Sequence, residues 1–367
     1  MTMITAKQRF NSLTGLRFLL AIWIAYFHVG HMYDHNGFGA LPILELGVAR
    51  VDVFFVLSGF VLTHIYWANR DRPFGFGDFM LARMARIYPL YIVALSVILG
   101  YLTLGLLMGK GEELSGYTPT GLFANMFMLQ SIGFVDAGMW NFPAWAISAE
   151  FAGYLAFPLF LWLATKMKDN PFAFFLLTLA NVFVIDQLMG RFMGHQMAES
   201  TMSGGFLRGA AVMLVGVGAR VAFEKFEMSS FRAGLFAAGG AICAILAAVN
   251  HLGTAFVAYG GALIILGLAR IDAHGKSTTL SRPTMCMLGG WSYAIFILHV
   301  PIFMIMKNAL DVIGMPLQVN ALTSLGFTAV VVAVAYPVHK LIEEPCRNFI
   351  RNGWDRRQAD KLAETQA

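Results

Sequence analysis

Leu13-Thr-Gly-Leu-Arg17-Phe-Leu-Leu-Ala-Ile-Trp-Ile-Ala-Tyr-Phe-His28 holds ten apolar or aromatic residues between an arginine and a histidine. The run it belongs to, about 13–33, has the ~20 mostly apolar residues that a helix needs to cross hydrocarbon. At about 100° per residue, the steps from Arg17 to His28 come to three turns plus about 20°, so both side chains share one helix face. They lie roughly 16 Å apart along the axis. Ionisable groups at membrane depth are costly and tend to mark reaction sites or pathways. A snorkelling arginine at the inner boundary and a hydrogen-bonded bundle histidine would also account for the pair.

The same apolar character runs through the chain. Its 367 residues are 58% hydrophobic and 13% charged, with a mean hydropathy of +0.65. A soluble domain carries about 25% charge. The apolar stretches predict an all-α, polytopic membrane helix bundle with about ten transmembrane helices and both termini cytoplasmic. The expected spans are 13–33, 46–66, 87–108, 146–166, 172–190, 206–222, 233–250, 254–269, 288–308 and 321–341. The apolar stretch 121–135 is short and reads as re-entrant or interfacial. The first span follows Lys7 and Arg9 without a small-residue cleavage site, so it is expected to be retained. The domain reading is a cytoplasmic segment 1–12, a transmembrane domain 13–342 and an amphipathic cytoplasmic tail 343–367.

Charge supports this count. On that topology 21 of the 26 basic residues lie inside, and only Arg50, Lys110, Arg191, Arg208 and Lys307 lie outside. Positive charge gathers on the cytoplasmic side of membrane proteins. The basic pI therefore follows from topology and carries no argument for nucleic acid. Small residues recur within spans, as in Gly205-Phe-Leu-Arg-Gly209, Gly216-Val-Gly218 and Gly239-Gly240, where they permit close helix approach. Cys243, Cys286 and Cys346 are too few and scattered for a disulfide framework, and no ligand set with metal spacing occurs.

Several other residues are candidates for chemistry. Glu150, in Trp145-Ala-Ile-Ser-Ala-Glu150, falls near the outer side, at a depth similar to His28. A carboxylate there is either a base-orienting partner of the histidine or a wetted interface residue. Asp52 and Ser58 stand about 240° apart on their helix, which argues against one shared site. Ser58-Gly59 reads as a packing or helix-break element, and no Gly-x-Ser-x-Gly elbow is present. The segment from Asn69 to Pro89 reads as an inner loop carrying four arginines. Arg83 and Arg86 neighbour each other on a helical turn and suit bidentate phosphate contacts, although inner basic residues also serve as topology and lipid-binding signals. His299 lies within the ninth span, as a core histidine or a site residue. Tyr26, Tyr33, Phe38, Trp140, Phe142 and Trp145 form either an interfacial belt or a stacking surface for a sugar.

Taken in order, these strings resemble the acyltransferase-3 family of integral membrane acyltransferases, which includes enzymes that O-acetylate surface polysaccharides. The resemblance covers nearly the whole chain. It is carried by Leu13-Thr-Gly-Leu-Arg17 with His28, Val51-Asp-Val-Phe-Phe-Val-Leu-Ser-Gly-Phe60, Arg83-Met-Ala-Arg86-Ile-Tyr-Pro89, Trp145-Ala-Ile-Ser-Ala-Glu150, Ser292-Tyr-Ala-Ile-Phe-Ile-Leu-His299 and Glu343-Glu-Pro345. Thr14 and Ala82 depart from it, standing where the family usually has aspartate and arginine.

The resemblance implies a multi-pass enzyme of the bacterial inner membrane. It would move an acyl group, most often acetyl, from cytoplasmic acyl-CoA (acetyl-CoA) to a hydroxyl of a carbohydrate or glycolipid acceptor, with no metal. Its expected catalytic residues are His28 and Glu150. Arg17, Arg83 and Arg86 are expected at the donor, and Trp145, His299 and Asp52 at the acceptor. Membrane lipids are the other expected partners. A proton-coupled transporter or flippase of an envelope glycolipid is the alternative from a different class, and a non-catalytic envelope partner is a third.

Overall fold

Every backbone N–H and C=O inside hydrocarbon needs an internal partner, which leaves helices as the element for apolar runs of this length. The structure, a computed structural model, describes residues 8–33, 47–68, 70, 73–109, 116–133 and 140–366. The helices are α1 (Asn11–Tyr33), α2 (Gly47–Trp67), α3 (Phe76–Leu107), α4 (Pro119–Met126), α5 (Trp145–Lys166), α6 (Pro171–Met193), α7 (Gly205–Phe223), α8 (Ser230–Val249), α9 (Thr254–Ala273), α10 (Pro283–Gly290), α11 (Ser292–Val312), α12 (Ala321–Val338) and α13 (Glu344–Gln366). Among the described residues no strand occurs, and ten helical segments are long and apolar enough to cross a membrane. An even number of crossings brings both ends of the chain to one end of the bundle, here termed inner.

The ten segments coincide with the ten expected spans, and two boundaries differ in an informative way. The basic segment before Pro89 is helix from Phe76 onward, so Arg83 and Arg86 ride on α3 and do not lie in a loop. Their charge lowers local hydropathy without disfavouring helix, because arginine is a good helix former. Pro89 sits inside α3 with the helix continuing past it. The ninth span begins as the short α10, breaks at Trp291 and resumes as α11. The 121–135 stretch does not cross. It holds only α4 and a turn, with Asn125 and Gln130 buried and bonded to Tyr91 of α3.

Small residues set the packing. A Cβ on Gly216 of α7 would collide with the Val56 carbonyl of α2, and one on Gly59 of α2 with the Met213 carbonyl of α7. The two backbones touch there, which is the close approach small residues permit in lipid. Gly240 of α8 and Gly260 of α9 face each other likewise, each Cβ position 2.6 Å from the other's carbonyl oxygen. At the inner end α10 lies against the start of α1, with Gly289 on the Thr14 carbonyl. Ser12 ties α1 to α9 by donating its amide and hydroxyl to Asp272 at 2.8 and 2.6 Å. After α12 the chain widens into a π turn, His339–Glu343, and α13 returns to the inner start of α3, where Trp354 Nε1 donates to Asp78 at 2.7 Å.

The α2–α7 contact is testable by overpacking, which typically costs about 1–3 kcal/mol. Gly216→Val is expected to lower the melting temperature in detergent by several degrees. Gly326→Ala, at a helix position with open space around it, is expected not to lower it. Fluorescence-detected thermal unfolding reads both.

Candidate active site

α1 and α11 bring two histidines together. His28 Nδ1 stands 2.8 Å from His299 Nε2, and the rings are nearly parallel, at 9°. His299 is fully buried, and its Nδ1 lies 2.5 Å from the Phe296 carbonyl oxygen one helical turn back. Phe142 meets the His28 ring edge-on at 5.0 Å.

Inward of this pair the bundle encloses a cavity. Its lining includes Arg17 of α1, Ser58 of α2, Arg83 and Arg86 of α3, Glu150 and Tyr154 of α5 and Phe296 of α11, with about 800 Å³ of empty space, open solvent at its mouth included. The rest of the lining is mainly apolar, from residues such as Phe54, Phe55, Ile147 and Val61. Ser58 Oγ donates to Glu150 Oε1 at 2.5 Å across the cavity wall. Arg83 Nε is buried and makes no hydrogen bond. A buried polar atom left unsatisfied is expensive, and a site that keeps one is suited to a ligand that supplies the partner. Three guanidinium groups against one carboxylate make the cavity net cationic, fit for an anion. Among the described residues no group of potential metal ligands converges.

The remaining expected site residues lie elsewhere. Both Asp52 oxygens are engaged by Arg208, Nε to Oδ1 and Nη2 to Oδ2 at 2.8 Å each, with both residues about 1% exposed. Arg208 also donates to the Ala198 carbonyl at 2.9 Å and lies over the Trp145 ring, 5.4 Å from its centroid. Asp52 and Trp145 therefore hold α2, α5 and α7 together near their outer ends, in a polar knot with no carboxylate oxygen left over. Tyr33 and Phe38, two of the outer aromatic residues, lie outside the described side chains.

The resemblance implies Glu150 as a catalytic partner of His28; the structure places Glu150 in the wall of the cavity inward of His28, with Arg17. Ser58 Oγ donates to Glu150, and His28 Nδ1 stands within hydrogen-bond distance of His299 Nε2. The Ser58-Gly59 pair reads from the sequence as a packing or helix-break element; Gly59 packs on α7, and Ser58 lines the cavity. His64 carried no signal in the sequence. It is buried at the inner end of α2, where Arg220 Nε donates to its Nδ1 at 3.1 Å and its Nε2 lies 2.9 Å from the Gln8 carbonyl. The one hint available was that His28, Ser58, Arg208 and His299 are all polar residues inside apolar runs.

The model of the "Acyltransferase domain" family matches residues 10–340. The chain belongs to the acyltransferase-3 family. An acyltransferase of Streptomyces mycarofaciens, MdmB, is 27% identical over 93% of this chain and 92% of its own length. The peptidoglycan O-acetyltransferase OatA of Listeria monocytogenes is 24% identical over 45% of this chain and 26% of its own. "Protein 2 in picA locus" of Rhizobium radiobacter is 38% identical over 26% of this chain and 46% of its own. No solved structure matches. The protein is thus a multi-pass membrane acyltransferase, as inner-membrane members of the acyltransferase-3 family are.

In this acyltransferase the Asp52–Arg208 pair has a structural consequence that mutation reads out. Removing one partner of a buried ion pair strands a charge and costs about 3–5 kcal/mol. Asp52→Leu and Arg208→Met are each expected to collapse the detergent-purified yield and melting temperature. The double variant is expected to be more stable than either single one.

Proposed function

We propose that this enzyme transfers an acyl group, acetyl as the simplest case, from cytoplasmic acyl-CoA to a hydroxyl of a carbohydrate acceptor. The observation that carries the reading is the cavity with Arg17, Arg83 and Arg86 in its wall and its apolar lining reaching Phe296, whose carbonyl meets His299 beside His28. Guanidinium forks suit the phosphates of the donor. The apolar stretch suits the acylated pantetheine arm, and the Ser58–Glu150 pair and Tyr154 offer polar partners to its amides. Arg17 and His28, about 16 Å apart along α1, then serve different parts of one long donor.

His28 acts as the general base. As the acceptor oxygen attacks the thioester carbonyl, its proton passes to the imidazole. When the C–S bond breaks, that proton passes to the leaving thiolate, so the products are an ester and a free thiol and the histidine is returned neutral. Holding both reactants in a water-poor layer also keeps the thioester from hydrolysis. Glu150 acts from the cavity side through Ser58. The acceptor reading draws on the Listeria relative, whose name gives peptidoglycan as its substrate. A hydroxyl on an envelope glycan or its lipid-linked precursor, presented from the outer side, fits the position of His28 in the outer half of α1.

Two experiments bear on this. Release of free CoA from acetyl-CoA, stimulated by envelope glycan, is expected for the purified protein and is expected to vanish in His28→Ala at unchanged melting temperature; sustained turnover in that variant would remove His28 from the chemistry. Arg83→Gln and Arg86→Gln are expected each to raise KM for acetyl-CoA about tenfold, the worth of roughly 1.4 kcal/mol of charged hydrogen bonding, with kcat changed far less.

A further inference from the structure

We infer that His299 is the positioning residue that fixes the tautomer of His28, holding its Nδ1 protonated so that Nε2 is the nitrogen that receives the acceptor's proton. The inference rests on the reading of His28 as general base given above.

The direction of the hydrogen bonds follows from one atom. A peptide carbonyl only accepts, so the 2.5 Å contact between His299 Nδ1 and the Phe296 oxygen requires the proton on Nδ1. A neutral imidazole carries a single N–H, which leaves His299 Nε2 as an acceptor. The 2.8 Å contact to His28 Nδ1 then requires the proton on His28 Nδ1. The lone pair of the His28 ring is thereby assigned to Nε2. The opposite assignment would set two lone pairs against each other, either at Phe296 or between the rings.

The surroundings hold this chain in place. Pro301 lacks the N–H that would bond the Ile297 carbonyl, four residues back in α11. Asn141 Nδ2 takes that carbonyl at 3.0 Å. The next residue, Phe142, is the ring set edge-on against His28. The carbonyl freed by Pro301 therefore anchors the loop that packs on the base, while the turn before it anchors the base's partner. A carboxylate in place of His299 would orient His28 equally well but would put a negative charge in a fully buried layer, at high desolvation cost. A neutral histidine fixes the tautomer without that charge.

The test uses the full chain in lipid nanodiscs, with acetyl-CoA as donor and envelope glycan as acceptor. His299→Phe keeps the ring volume and removes the acceptor atom; His299→Gln restores an acceptor oxygen within reach. His299→Phe is expected to lower kcat at least about 100-fold, in line with the loss of a base-orienting acceptor. KM for acetyl-CoA should stay within about threefold, and His299→Gln should recover most of the loss, a split that a merely structural role would not give. Nitrogen-15 spectra of histidine-labelled wild-type protein, assigned with His28→Ala, are expected to show His28 protonated at Nδ1. Wild-type spectra with His28 protonated at Nε2 overturn the inference whether or not any His299 variant folds. So does His299→Phe turning over at the wild-type rate, or a folded His299→Gln as slow as His299→Phe. Activity in His28→Ala would instead overturn the assignment of His28 as base, which keeps the two failures apart.

Discussion

A polar or ionisable side chain inside hydrocarbon has to find a polar partner or face a solvated cavity, and this constraint organises the bundle. Near the outer ends of the helices, Asp52 and Arg208 meet in a two-pronged ion pair that ties α2 to α7. Toward the inner end, Arg220 and His64 join the same two helices, and Arg270 donates to the Phe223 and Phe226 carbonyls. Between these fixed layers the arginines of α1 and α3 are treated differently. Arg17, Arg83 and Arg86 line empty space. The contrast between paired and cavity-facing arginines separates scaffold from site within one class of side chain.

The scaffold explains the position of the histidines. α1 is held at its inner end by Ser12 on Asp272 and by backbone contact with α10. α11 resumes from the break at Trp291, where Tyr293 donates to the Ile87 carbonyl of α3 at 2.5 Å. With both helices fixed inward, the outer parts bring His28 and His299 within hydrogen-bond distance at the far side of the cavity from the chain's ends. The proposed donor, anionic at one end and reactive at the other, would set its phosphates against the cavity arginines and its thioester toward the histidine pair.

Much of this was legible in the sequence, and the limits have physical causes. Hydropathy marks ten spans because lipid leaves few other options, and helical periodicity sets Arg17 and His28 on one face. Basic residues blurred the start of α3, since hydropathy registers charge while helix formation does not oppose it. The partners were not legible. Asp52 meets Arg208 across 156 positions and His28 meets His299 across 271, and nothing local encodes such meetings. Glu150 illustrates the difficulty best. Its place near the start of the fourth span suggested the depth of His28, but it lines the cavity inward of the histidines together with Arg17, where Ser58 Oγ donates to it.

The central claim is that donor and acceptor reach one base from opposite ends of the bundle. Sealed vesicles carrying the protein in known orientation test it directly, with acetyl-CoA supplied on one side only and glycan acceptor present on both. CoA release is expected only when acetyl-CoA is on the side of the two chain ends, with the acetylated product appearing on the other side. Equal use of acetyl-CoA from the opposite side, or product confined to the donor side, would contradict the account.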